Sequence, residues 1–256
     1  MKIKVAAVQM PFGTDVPENV KAMEAAIRKL ARKRVKLAVF PECCLSGYIV
    51  PAKDRDWPAI AAGLSRLRRL AGETRMCLVF GSALPNGRRL PFNSLLAVNE
   101  RGLLMSVYDK AHLIGGDHQC FSRGRKAPDV VRLAGIKVAM QICFDSRFPE
   151  LPRLAALSGA QVLVFAFAAF GRDGLWKTPV MEGHLRSRAA ENGVFLVAAN
   201  IGDRNSFVVS RIVNPDGLDL AAANPGRADA IVAEIDPAKA HRKFLPQRRR
   251  DLYRLT

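Results

Sequence analysis

The sequence predicts an α/β fold built in layers. Short apolar runs that read as buried strands alternate with longer segments of helical periodicity. Hairpin patterns are inserted between them, and 256 residues suffice to bury a large core. No stretch rich in Gly, Ser or Pro separates the halves, and no short-period repeat occurs. The chain therefore reads as one domain, residues 1–256, with a basic tail from about residue 238.

Residues 1–10 read as a strand in which Ile3, Val5, Ala7 and Gln9 alternate with Lys4, Ala6 and Val8. A helix should follow. Asp15 suits its cap, Pro17 its first turn, and Met23, Ala26, Ile27 and Leu30 recur on one face. Residues 37–40 form a short apolar run before Pro41, the pattern of a buried strand. Residues 58–74 are helical, with Ile60, Leu64, Leu67 and Ala71 in register, and 76–81 are another buried strand. A hairpin joins 92–98 to 103–108 across Asn99-Glu100-Arg101-Gly102. In the second half, 130–133 and 136–142 are strands, 150–158 a helix, 162–167 a strand, 177–191 a helix and 194–199 a strand. Further strands are expected near 207–213 and 230–235.

Composition excludes several classes. Hydrophobic residues make up 49% and charged residues 25%, ordinary globular usage that rules out a disordered or low-complexity protein. The longest apolar run, 162–170, has nine residues, where a membrane-spanning helix needs about 20. Lys2 and Lys4 break up the first apolar stretch and Pro11 ends it, so no secretory leader is expected. Five cysteines (Cys43, Cys44, Cys77, Cys120, Cys143) cannot all pair, and neither C-x-x-C nor zinc spacing occurs. A reducing, cytoplasmic compartment without a structural metal fits this pattern.

The net charge is +17, from 40 Lys+Arg against 23 Asp+Glu. That surplus raises a nucleic-acid reading. It is partly local: residues 28–36 carry six positive charges and no negative one, and 241–256 carry six Lys/Arg against Asp251. No nucleic-acid module signature accompanies it, so it reads as a solvated helix face and a basic tail, and no nucleic-acid partner is expected.

Three places at the ends of apolar strands have the means for chemistry, and functional groups of α/β proteins gather there. Glu42, in Phe40-Pro41-Glu42, is a carboxylate directly after a buried strand. Partial desolvation would raise its pKa and suit it to proton transfer. Lys110, in Tyr108-Asp109-Lys110-Ala111-His112-Leu113, is a cation that a developing oxyanion could use. Cys143 ends the strand in Ile142-Cys143-Phe144-Asp145-Ser146-Arg147-Phe148-Pro149-Glu150, with Pro149 expected in the first turn of the next helix. The turn between should expose the thiol to backbone N–H groups and a positive helix terminus, favouring the thiolate. No G-x-S-x-G, P-loop or G-x-G-x-x-G occurs, whereas a papain-like pairing of a cysteine with His112, His118, His184 or His241 stays open on spacing alone.

In this order the three segments resemble the nitrilase superfamily of carbon–nitrogen hydrolases. Ser46-Gly47-Tyr48 after the glutamate, Trp176, Arg188-Ala189-x-Glu191-Asn192, Ala199-Asn200, Ser210, Pro215-x-Gly217 and Arg248-Arg249-x-Asp251-Leu252-Tyr253 extend the likeness along essentially the whole chain. The resemblance implies a four-layer αββα sandwich whose members pair through helices into homodimers or larger homo-oligomers. By position it implies Cys143 as nucleophile, Glu42 as general base, and Lys110 with the backbone N–H of Phe144 beside the oxyanion. It implies a small amide as substrate and no metal or organic cofactor.

Two features qualify the resemblance. Many members carry a second glutamate four residues before the phenylalanine after the lysine motif; here Asp117 stands at that spacing from Phe121. Aspartate is one methylene shorter and is expected to fall short of Lys110 or of the substrate amine. The usual Phe-x-Pro-Gly is altered to Phe121-Ser122-Arg123-Gly124. True nitrilases of the family follow the cysteine with Trp-Glu, whereas Phe144-Asp145 follows here, as in amidase-like branches. The expected activity is hydrolysis of an amide or N-carbamoyl compound through a thioester. A true nitrilase, or a catalytically weakened binding protein on the same fold, stays open at this level.

Overall fold

The computed structural model describes residues 2–249 and 251–252. Among the described residues twelve strands and five α-helices follow one another: β1 (Ile3–Gln9), α1 (Val16–Arg32), β2 (Leu37–Val39), α2 (Trp57–Thr74), β3 (Cys77–Asn86), β4 (Arg89–Val98), β5 (Leu104–Asp109), α3 (Asp117–Cys120), β6 (Val130–Leu133), β7 (Ile136–Ile142), α4 (Glu150–Leu157), β8 (Val162–Ala166), α5 (Thr178–Ala190), β9 (Phe195–Ala199), β10 (Arg211–Val213), β11 (Asp219–Ala222) and β12 (Asp229–Ile235). They build two six-stranded sheets, ordered β12-β1-β2-β3-β4-β5 and β11-β10-β9-β8-β7-β6. Each has a parallel centre, β1-β2-β3 in one and β7-β8-β9 in the other, flanked by antiparallel strands.

Strand alternation explains the layering. Val5, Val39 and Val79 point between the sheets and meet Val138, Val164 and Val197 of the other sheet. The intervening residues Ala6, Ala38 and Leu78 point outward, against Met23 and Ile27 of α1 and Leu67 of α2. On the far side, Leu163 and Leu196 pack on Ala155 of α4 and Leu185 of α5. Central strands buried on both faces need unbroken apolar runs, which is what 37–40, 76–81 and 162–167 display. The result is the αββα sandwich.

Local signals match their elements. The Asp15 side chain accepts the Glu18 N–H at 2.9 Å and caps α1, with Pro17 in the first turn. Asp56 caps α2 in the same way. Two expectations need correction. The strand near 207–213 shrinks to Arg211–Val213, because side chains replace the ladder before it: Asn200 N–H donates to Ser210 Oγ and Asn200 Nδ2 to the Val208 carbonyl. The strand from residue 76 continues to Asn86 and turns back at Gly87, whose φ is +57°. Asn86-Gly87 is itself a hairpin signal that the sequence reading passed over. In the tail, Pro237–Lys239 and Leu245–Gln247 form short 3₁₀ turns, and Arg242 N–H is tied to the Gly193 carbonyl at 3.2 Å. Tyr253 of the tail motif lies outside the described residues.

Candidate active site

Glu42, Lys110 and Cys143 follow β2, β5 and β7, and the face-to-face sheets bring these strand ends together. The Glu42 loop leaves its own sheet and meets the other: Glu42 N–H donates to the Phe167 carbonyl, just beyond β8. This crossing requires Gly81. A Cβ there would lie 2.2 Å from Cys43 N and 2.6 Å from the Pro41 oxygen.

The Glu42 carboxylate is fully buried and held from three directions. Oε1 accepts from Lys110 Nζ and from Asn93 Nδ2, both at 2.7 Å. Oε2 accepts from Ala168 N–H at 2.8 Å. Burial raises its pKa, opposed by the Lys110 charge and assisted by the nearby Asp117. A carboxyl raised in this way holds a proton more firmly than an ordinary carboxylate, which suits a group that must take one from a thiol.

Lys110 is also buried, with Nζ 2.7 Å from both Glu42 Oε1 and Asp117 Oδ2. Burial disfavours its charge, but the carboxylates of Glu42 and Asp117 outweigh that and hold it an ammonium. Two of its three N–H donors serve the carboxylates, which leaves one for a ligand. Its Nζ lies 5.7 Å from the centroid of the Tyr48 ring.

Asp117 reaches Lys110 after all, which corrects the expectation that aspartate falls short of it. The short helix α3 carries Asp117 at its first position, and Ile114 N–H and Tyr48 Oη donate to its two oxygens at 3.1 and 2.8 Å. The backbone approach makes up for the missing methylene.

The strand stops at Ile142, so Cys143 opens a 3₁₀ turn, Cys143–Arg147, rather than ending the strand, and Pro149 is the N-cap residue of α4 rather than part of its first turn. The φ of Cys143 is +46°, a left-handed conformation that costs a non-glycine residue about 1–2 kcal/mol. Strain of this kind is sustained only where the surroundings enforce it. Asp145 enforces it here. Its carboxylate accepts from Ile142 N–H at 3.1 Å and Tyr108 Oη at 2.8 Å, and from His112 N–H at 3.0 Å. His112 Nδ1 pairs with it at 2.8 Å. One buried carboxylate thus ties the cysteine turn to the segment carrying Lys110. From behind, Arg188 Nε donates to the Ser146 carbonyl at 3.2 Å.

The expected thiolate-favouring environment is overturned. Burial pushes the Cys143 thiol well above its ordinary range, and Glu42 adds to this through its charge and as a hydrogen-bond acceptor, against the pull of Lys110. The resting site therefore holds a neutral thiol beside a base. The sequence motif shows the turn but not the two carboxylates brought up against it.

Cys143 lies in a cavity of about 210 Å³ whose walls include Tyr48, Phe144, Phe167, Met181 and Phe207. Arg147 and Lys177 also line it, and neither makes an ion pair among the described residues. A larger cavity, about 380 Å³, sits elsewhere and is lined by none of Glu42, Lys110 and Cys143. Sequence reasoning missed Asn93, Tyr48, the Ala168 N–H and the anchoring role of Asp145. Of these, only Tyr48 and Asp145 stood in recognisable motifs. Trp176, by contrast, is 69% exposed, with the Lys177 ammonium 5.6 Å from its ring centroid.

The profile of the carbon–nitrogen hydrolase family matches residues 4–242. A probable nitrilase of Schizosaccharomyces pombe is 30% identical over 99% of this chain and 98% of its own. The omega-amidase of Saccharomyces cerevisiae is 30% identical over 98% of this chain and 95% of its own. Among solved structures, a glutamine-for-glutamate mutant of the amidase from Nesterenkonia sp. AN1 has a TM-score of 0.83 and 25% identity, over 98% of this chain and 96% of that one. It carries the acetamide moiety of fluoroacetamide on its active-site cysteine. Family profile, full-length relatives and fold agree: the chain belongs to the carbon–nitrogen hydrolases, on the amidase branch of the nitrilase superfamily.

Proposed function

We propose that the protein hydrolyses a small carboxylate-bearing amide, an ω-amide of a dicarboxylic acid or an N-carbamoyl acid, through a thioester on Cys143. The observation that carries this reading is the buried Glu42–Lys110 pair beside the Cys143 thiol, with Glu42 in hydrogen-bond contact with that thiol and Cys143 lining the cavity of about 210 Å³. As Sγ attacks the amide carbon, its proton passes to Glu42. The carbonyl oxygen gains the negative charge, and Lys110 and the Phe144 N–H stabilise it; one such donor is worth about 3 kcal/mol. Glu42 returns the proton to nitrogen, the C–N bond breaks and ammonia or an amine leaves. Water then attacks the thioester and gives a proton to Glu42. The C–S bond breaks, the proton returns to sulfur, and the carboxylic acid departs. The upward shifts of both thiol and carboxyl suit this shuttle, because each makes the group a better proton acceptor than its exposed counterpart. Asp117 keeps Lys110 charged and in place.

Arg147 and Lys177 support a carboxylate on the substrate. An otherwise apolar cavity with two unpaired cations favours a short molecule with an anionic end. We read the whole chain as one domain, since the cluster between the sheets draws on strands of both halves. Exposed Leu157 of α4 and Val180 of α5 support pairing of two copies through the helix layer. Among the described residues, no helix is long and apolar enough to cross a membrane.

The direct test is to mix the protein with succinamic, glutaramic and N-carbamoyl acids, quench with acid and weigh the peptide containing Cys143. The expected result is an added mass equal to the acyl group, with release of ammonia. Ammonia release that persists in Cys143→Ala, with no adduct in the native protein, would overturn the reading. A pH profile tests the base. Glu42 must be ionised to accept the thiol proton, so the acid limb of kcat/KM should lie above its ordinary value of 4.5. Asp117 helps raise Glu42, so Asp117→Asn should move that limb to lower pH. A limb that stays fixed or moves upward would assign the base elsewhere.

A further inference from the structure

Much of the +17 charge has no task in the chemistry above. Where acidic neighbours exist, the surface arginines use them: Arg28 pairs with Glu73, Arg66 with Glu24 and Arg186 with Asp219. One group differs. Arg89, Arg123 and Arg125 line the cavity of about 380 Å³, and no carboxylate lines it with them. A second cavity of about 200 Å³ shares Asn86 and Arg89 with the first and adds Arg88, again without an acid. None of these four arginines makes an ion pair among the described residues.

The concavity is built rather than a chance gap between mobile side chains. Its walls are the turn between β3 and β4 and the strap 122–125. Ser122 N–H donates to the Pro91 carbonyl at 2.7 Å and Ser122 Oγ to the Leu90 carbonyl at 2.6 Å. Asn86 Nδ2 donates to Ser122 Oγ at 3.1 Å, and Ser122 bridges to Phe92 in parallel. Gly124 anchors the strap: its N–H donates to the Lys110 carbonyl at 2.8 Å, and a Cβ there would lie 2.1 Å from the Asp109 oxygen. Arg123, on this strap, stands at the altered position of Phe121-Ser122-Arg123-Gly124.

We propose that this concavity is a binding site for a phosphorylated small molecule carrying two or more negative charges, separate from the amide site. Its volume is that of a small-ligand pocket, and the Phe92 ring offers an apolar surface inside it. Guanidinium groups present paired N–H donors in the geometry that phosphate oxygens accept. Like charges held around one cavity without a counter-charge raise the local potential, and a multivalent anion relieves it.

Isothermal titration of the full-length protein at physiological salt tests the site, with inorganic tripolyphosphate and ADP as separate probes. The expected result is saturable binding of at least one, and which one binds tells an inorganic polyphosphate from a nucleotide. The double variant Arg89→Ser/Arg123→Ser should weaken it by at least about tenfold. A control, Lys33→Ser/Lys36→Ser, removes the same charge from the basic end of α1 and should leave it unchanged. Equal weakening in both variants reduces the effect to diffuse charge and overturns the proposal. So does the absence of saturation by either probe, even if a single-stranded 12-mer DNA binds at the same arginines, since that would make the surface a polymer track.

Discussion

Cys143→Ala is expected to lower ammonia release by about 10⁵-fold or more while leaving the fold in place. The thiol is the one group able to form the covalent link, and no other cysteine, serine or threonine lines its cavity. The turn that holds residue 143 does not depend on sulfur. Asp145 fixes it through Ile142 N–H, Tyr108 and His112, and Arg188 braces the Ser146 carbonyl. Alanine also tolerates the left-handed φ of +46° no worse than cysteine does. The melting temperature should therefore stay within a few degrees of the parent. Ammonia assays together with thermal melts separate the outcomes. Residual turnover above roughly one per cent would remove Cys143 from the chemistry.

Lys110→Met is expected to destabilise the protein by about 3–5 kcal/mol as well as to stop catalysis. The methionine fills much the same volume, so packing is not the main loss. What disappears is the cation between two fully buried carboxylates, Glu42 and Asp117, each 2.7 Å from Nζ. An uncompensated buried anion is costly, and the folded protein relieves it by binding a proton. The carboxyl pKa values in the folded variant then rise above their unfolded values. A group raised in this way contributes its stability below the unfolded pKa, and that contribution is lost as pH rises through the folded pKa. Urea melts should accordingly show a smaller deficit near pH 5 than near pH 8. Adding Asp117→Asn should restore part of the loss, because one of the two stranded charges is gone. A deficit below roughly 1 kcal/mol, equal at both pH values, would mean the pair is no more than a surface-type bridge.

Both outcomes turn on contacts between residues far apart in the chain. Asn93 and Glu42 are 51 positions apart, Tyr48 and Asp117 69, and Ala168 and Glu42 126. Nothing in local periodicity announces such pairs. Asn93 lies in an ordinary strand, and the Ala168 contribution is a backbone N–H that any residue but proline would supply. Asp145 could be noticed beside the cysteine, but its grip on Tyr108 and His112 depends on β5 and β7 lying near each other in opposite sheets.

The layered α/β class, the capped first helix, and the placement of Glu42, Lys110 and Cys143 just beyond strands are all legible in local patterns of residues. Each follows from patterns a few residues long: unbroken apolar runs, a capping aspartate before a proline, a polar residue where a buried strand stops. Tertiary structure alone decided that Asp117 reaches Lys110 and that the resting cysteine keeps its proton. Those depend on burial and on the fields of charges carried in from distant segments, and a desolvated group responds to neighbours in space whatever their order in the chain.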